Sequence, residues 1–212
     1  MAVALSKTQR SGLLFAFLGI FAFSLSLPFT KLALKSFDPL FTAFARPVIA
    51  AVIAIPLMMI VKVPKLPRNL WRPTAFTAAG AVFGWPILIA LALQRTTSAH
   101  VSVIAAVMPL VTAIIAVIKH KKHPGLTFWV ASSLGTVLLV TFSITRGGGT
   151  NADVKTDLLI IGAVIASSYC YVEGASLTSF MPGWQVISWV VVISLPIAIP
   201  AAAIVYARTS AD

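Results

Sequence analysis

Apolar positions in this chain come in long unbroken runs, with the polar and basic residues gathered between them. Mostly aliphatic stretches cover residues 12–30, 40–61, 74–93, 99–118, 126–145, 157–172 and 184–206. Most approach or exceed the ~20 residues that a helix needs to cross ~30 Å of hydrocarbon, so the pattern predicts seven membrane-spanning helices. The stretch at 157–172 is the shortest and reaches full length only by taking in Glu173.

Composition strengthens this expectation. Apolar residues make up 59% of the 212 and charged residues only 10%. A soluble domain carries roughly 25% charged residues, and this chain has too few to cover itself with a polar surface. The expected fold class is therefore an all-α, polytopic membrane bundle. The net charge of +11 would suggest nucleic acid in a soluble domain, but here the cations sit between the spans. With the amino terminus on the cytoplasmic side, that side collects Lys7, Arg10, Lys62, Lys65, Arg68, Arg72, Lys119, Lys121 and Lys122. The other side collects Lys31, Lys35, Arg95, Arg146, Lys155 and Arg208. The positive-inside rule then predicts a cytoplasmic amino terminus, with "KVPKLPRNLWRP" and "KHKKHPG" as loops beside anionic lipid. Nucleic acid is not an expected partner. Lys7 and Arg10 precede a run that continues past Pro28 without a small-x-small site, so it reads as a first span and not a leader.

Little here points to an enzyme. No phosphate-binding glycine loop or Ser/His/Asp grouping is present, which argues against an ATP-driven pump or a membrane hydrolase. Cys170, the lone cysteine, excludes an internal disulfide and suits a small packing residue. His120 and His123 flank two lysines in a loop without a Cys or acid nearby, a poor metal site. No cofactor and no metal are expected.

An internal repeat carries more information. "LKSFDPLFTAFARPVIAAVIAIP" begins at Leu34 and "LTSFMPGWQVISWVVVISLPIAIP" at Leu177, an offset of 143 residues. Leu34, Ser36, Phe37 and Pro39 match Leu177, Ser179, Phe180 and Pro182, and a further proline follows near the far end of both segments. Five spans separate the copies, an odd number, so the second copy enters the membrane inverted. Inverted repeats mark secondary transporters, whose site lies where the repeats meet. The expected division is 1–147 for the first repeat and 155–212 for the first two helices of the second. A complete second unit would extend to about residue 288, so the chain is expected to be three helices short.

The chain resembles the EamA-type members of the drug/metabolite transporter superfamily. The resemblance rests on "FSLSLPFTKLAL", "DPLFTAFARPVIAA", "FGWPILIALALQRTTSAHVSVIAAVMPLVTAIIAVI" and "YVEGASLTSFMPGWQVISWVVVISLPIAIP", in that order and spacing. It implies ten spans in two inverted five-span repeats, a cavity formed by both, and an arginine early in the second span, where Arg46 stands. The Gly-Glu that many members carry after the fourth span is replaced by "IKHKKHPG".

Candidate site residues follow from charge and shape inside the spans. Arg46 is a permanent cation about 12 Å deep, at 1.5 Å per residue, so it either contacts a carboxylate-bearing solute or clamps helix carbonyls, including those freed by Pro47. Glu173, the one acid this reading places within a span and near its outer end, pairs with Arg46, takes up a proton, binds a cationic solute or meets water. Tyr169, at i−4, shares its face. Gly80-xxx-Gly84 permits close helix packing, and Trp85-Pro86 follows it; Pro86 leaves the carbonyl of Val82 without its donor. Pro28 and Pro109 are further kink candidates. Trp189 is a candidate wall residue, and Trp184 an interfacial anchor.

These readings predict a multi-pass membrane transporter, in the inner membrane of a bacterium, with the lipid bilayer and a small-molecule substrate as partners and a homo-oligomer left open. Small metabolites, amino acids or related amphiphiles among them, would move by alternating access. One alternative is a membrane fragment without transport activity of its own. Another, a seven-span receptor, is argued against by the inverted repeat and by the absence of a retinal-binding lysine from 184–206.

Overall fold

The computed structural model describes residues 7–121, 124–145 and 153–209, all as helices and the turns between them. Lys122, His123 and Arg146, and the side chains of Lys7 and Arg10, lie outside the described residues. In chain order the helices are α1 (Lys7–Ser24), α2 (Ser26–Ala33), α3 (Pro39–Ile60), α4 (Trp71–Ala78), α5 (Trp85–Arg95), α6 (Ser98–Ala105), α7 (Met108–His120), α8 (Leu126–Thr145), α9 (Val154–Leu177) and α10 (Gly183–Thr209). A 3-10 turn, Arg68–Leu70, leads into α4, and a π-helical segment, Ala79–Gly84, joins α4 to α5. The starts of α3, α6 and α9 are capped by side chains that accept the first free N–H groups. Asp38 takes those of Leu40 and Phe41 at 2.7 and 3.1 Å, Thr97 that of His100 at 3.2 Å, and Asp153 that of Thr156 at 3.1 Å.

Read as continuous rods, six helical stretches among the described residues are long and apolar enough to cross a membrane: Ser11–Ala33, Pro39–Ile60, Arg68–Arg95, Ser98–His120, Val154–Leu177 and Gly183–Thr209. The polytopic helical class stands, and the one expected span not among the six coincides with α8, an apolar helix of 20 residues. The stretch expected to be shortest belongs to a helix of 24 residues. Its two acids are absorbed by basic partners, Asp157 by His100 at 2.7 Å and Glu173 by Lys119.

Prolines coincide with the interruptions. Pro28 has no N–H for the carbonyl of Ser24, and the helix parts between Ser24 and Ser26. Pro86 follows the π-helical segment, where the carbonyl of Val82 loses its donor. Pro109 stands at the start of α7, after a break at Ala106 and Val107. Hydroxyls of neighbouring helices donate to carbonyls beside the break: Thr136 to Ala106 at 3.2 Å and Ser168 to Met108 at 3.4 Å.

Two apolar clusters lie toward opposite ends of the bundle. Trp85, Ile89, Leu93, Val101 and Ile160 form one, with Leu27 and Leu34 against it. Leu66, Leu70, Val82, Leu177 and Val190 form the other. Helices α3 and α10 run antiparallel: Phe41 meets Tyr206 at 5.6 Å between ring centroids, while Met58 and Lys62 share a groove with Trp189. The turn that opens α3 and the turn that opens α10 therefore sit at opposite ends. The end holding Lys62, Arg68 and Lys119 is called the basic end below.

At the opposite end, Lys31 donates to the carbonyl of Leu93 and, at 2.8 Å, to that of Thr96. These carbonyls close α5, where the helix dipole favours a cation. Lys31→Met is expected to lower stability in detergent by about 1–3 kcal/mol, the range for hydrogen bonds from a charged donor, and Lys31→Arg by less. A thermal melt of Lys31→Met that overlays the parent would show that the bridge contributes nothing. Near it, Asp153 stands 3.8 Å from Arg95. The hydroxyl and N–H of Thr156 hold its carboxyl below the usual carboxylate range.

Candidate functional site

A buried carboxylate in a span stands on α9. Glu173 lies near the end of that helix with a side chain only 9% exposed. Its carboxylate pairs with Lys119, in the last turn of α7, and accepts a hydrogen bond from the hydroxyl of Tyr169 one turn earlier. The Lys119 ammonium also stands 5.9 Å from the centroid of the Tyr169 ring. Phe76 of α4 meets that ring edge-on at 6.4 Å. Three helices thus hold one carboxylate, one ammonium and one phenol in apolar surroundings. There an unpaired charge is costly, and a change of partner shifts the balance between conformations. His120 extends the cluster through a 3.4 Å contact with Ser176.

Arg46 occupies a separate place. It stands seven residues past Pro39, whereas Glu173 stands nineteen past Val154. At 1.5 Å per residue these depths are about 10 and 28 Å from the helix starts. Both helices begin at the end opposite the basic one, so the two residues lie at opposite depths, and of the alternatives for Glu173 the pairing with Arg46 is corrected. Helices separated by an even number of crossings run the same way, and a residue early in one lies far from a residue late in the other. Glu173 finds its cation at the basic end. Arg46 donates to the hydroxyl of Ser26 at 3.3 Å, just beyond the break in the first span. A guanidinium has five donors, and among the described residues Ser26 takes one, which leaves the fork able to meet a carboxylate.

The aromatic candidates divide as well. Trp85 is 8% exposed inside the apolar cluster with Ile89 and Leu93. The segment beside it crosses α9 at backbone contact. Trp189 packs at the edge of the second cluster and faces a groove beside Lys62. Tyr169 and Glu173 do come together, as their i, i+4 spacing predicts. Sequence reasoning missed Lys119 and Ser26. Lys119 was grouped with loop cations although it ends an apolar run, and a partner for Glu173 has to come from the end where its own helix finishes. Ser26 carries no sequence signal beyond its proximity to Pro28.

Comparison with known proteins gives the family. The EamA-like transporter family matches residues 10–144. A protein of Bacillus subtilis (strain 168) named "Uncharacterized transporter YdeK" is 37% identical over 196 residues, which cover 92% of this chain and 67% of that protein. No solved structure matches the chain.

Proposed function

The chain belongs to the EamA-like transporter family, and on that premise we propose that it is a secondary transporter of small organic metabolites working by alternating access. The observation that carries this reading is a pair of charged stations inside the spans at opposite depths: Arg46 with Ser26, and Glu173 with Lys119 and Tyr169. A zwitterionic amphiphile such as an amino acid offers a carboxylate to the first and an ammonium to the second. Such a solute would meet them in turn as one repeat rocks against the other. Residues 1–147 form the first repeat and 155–212 open the second. The opposed turns before α3 and α10, and the antiparallel packing of those helices, support that division.

The test is uptake of a panel of radiolabelled metabolites by proteoliposomes containing the full chain. For whichever solute is carried, Arg46→Leu is expected to lower uptake about tenfold, the 1.4 kcal/mol of one charge-assisted hydrogen bond. Arg46→Lys keeps the charge without the planar fork and is expected to fall between. Unchanged uptake by Arg46→Leu would reduce the arginine to a tether for the first span.

The same reading sets the chain in a bacterial inner membrane with its amino terminus in the cytoplasm, as the basic loops favour. Seven crossings, α8 included, would put the carboxyl end outside. A reporter active only in the cytoplasm, fused after Asp212, is expected to stay silent. A strong signal would mean an even number of crossings.

A further inference from the structure

We propose that the groove between α3 and α10 at the basic end is a binding site for an anionic phospholipid, with the acyl chain along the groove and the phosphate on Lys62. The open groove offers about 320 Å³ and is lined by Ile55, Met58, Met59, Trp189 and Val192 together with Lys62, which follows the end of α3. From Ile55 to Lys62 it runs about 10 Å along α3, within the thickness of one leaflet's hydrocarbon. An apolar channel that ends in a cation and an indole at one interface suits a lipid with a negatively charged head.

The backbone at Lys62 supplies a second, independent observation. Helix α3 closes through bonds from the Lys62 N–H to Met59 at 3.2 Å and from the Val63 N–H to Met58 at 2.9 Å. That closure puts Lys62 at φ 55, the left-handed region where a Cβ crowds the chain and glycine is preferred. Lys121 closes α7 in the same conformation at φ 53, so a lysine stands at the left-handed closure of two helices that end on this side. Among the described residues the Lys62 ammonium enters no ion pair. The sequence has no Asp or Glu between residues 39 and 152, so the neighbouring Lys65 and Arg68 add to the positive field without compensation nearby in the chain.

Brominated lipids quench tryptophan on contact, and Trp189 is the reporter. The full chain is reconstituted in phosphatidylcholine vesicles containing either brominated phosphatidylglycerol or brominated phosphatidylcholine at equal fraction. The part of the quenching that disappears in Trp189→Phe is assigned to the groove. Phosphatidylglycerol is expected to associate about fivefold more strongly there, corresponding to the ~1 kcal/mol of one basic residue at an anionic surface. In Lys62→Gly the ratio is expected to fall to about one with no loss of thermal stability, because glycine suits the backbone. Lys62→Asn, which also tolerates the left-handed region, serves as a second variant should the glycine form fail to fold. Equal quenching by both lipids in the parent would overturn the proposal, as would an undiminished preference in the Lys62 variant. Protection of Trp189 from both lipids would mean that a protein segment fills the groove, and would overturn it too.

Discussion

Gly80→Val is expected to leave the chain unable to keep its fold in detergent. A Cβ at position 80 would stand 2.4 Å from the carbonyl oxygen of Ala166 and 2.6 Å from Cβ of Cys170. At Gly84 it would stand 2.7 Å from Cβ of Ala166. The obstruction is backbone and the first side-chain atom of α9, neither of which can swing aside. This is the close approach that a small-xxx-small pair permits, and dispersion across it is much of what joins helices in lipid. Overpacking a tight contact costs roughly 1–3 kcal/mol for added methylene groups, and a branched side chain against a carbonyl lies at or above the top of that range. Gly80→Ala should therefore lower the thermal midpoint clearly, and Gly80→Val should aggregate on size exclusion. Gly135→Ala is the control: its Cβ would meet nothing within 4 Å, and alanine favours helix, so no loss is expected there. A Gly80→Val protein that stays monodisperse and melts with the parent would mean that α9 does not cross the π-helical segment at this contact.

The Gly80–Gly84 pair was legible in the sequence because its cause is local: two missing side chains on one face of a run of apolar residues. Helix class, the small role of Cys170, and Pro28, Pro86 and Pro109 as kink candidates were readable for the same reason. Each depends on one residue type and its own chain neighbours. Partners across spans were not readable. Arg46 and Glu173 are complementary in charge, so the sequence alone suggests pairing them, but helix direction separates them and gives Glu173 to Lys119 instead. Trp85 illustrates a different gap. An indole beside a proline in a span suits a cavity wall or a core equally well, and only the crossing of α5 with α9 decides for the core. The number of spans is sensitive to the weakest segments, and here those were α8 and α9. Asp157 and Glu173 shorten the apparent apolar run of α9, yet both are partnered by groups more than fifty residues away in sequence.

Lys119→Met is expected to cause the second large effect, and its pairing with Glu173 gives a way to separate stability from transport. Removing the ammonium leaves a carboxylate in apolar surroundings with only Tyr169 to donate to it. Breaking a buried pair from one side costs about 3–5 kcal/mol; the lysine is 31% exposed, so the lower end of that range applies here. Glu173→Gln should cost less, because Lys119 stands at the basic end and its long stem can carry the ammonium to water. Replacing both residues, as Lys119→Met with Glu173→Met, removes the desolvation cost along with the attraction and is expected to return the melting midpoint to within about 1 kcal/mol of the parent. Transport should behave differently. If Glu173 exchanges Lys119 for the ammonium of a solute, the double variant folds well and carries nothing in the proteoliposome assay. Glu173→Gln, which keeps a hydrogen-bond acceptor without the charge, would then carry a small residue of activity. A double variant that is stable and transports at the parent rate would make the pair a clamp between α7 and α9, and Arg46 alone would remain as the charged contact for a solute.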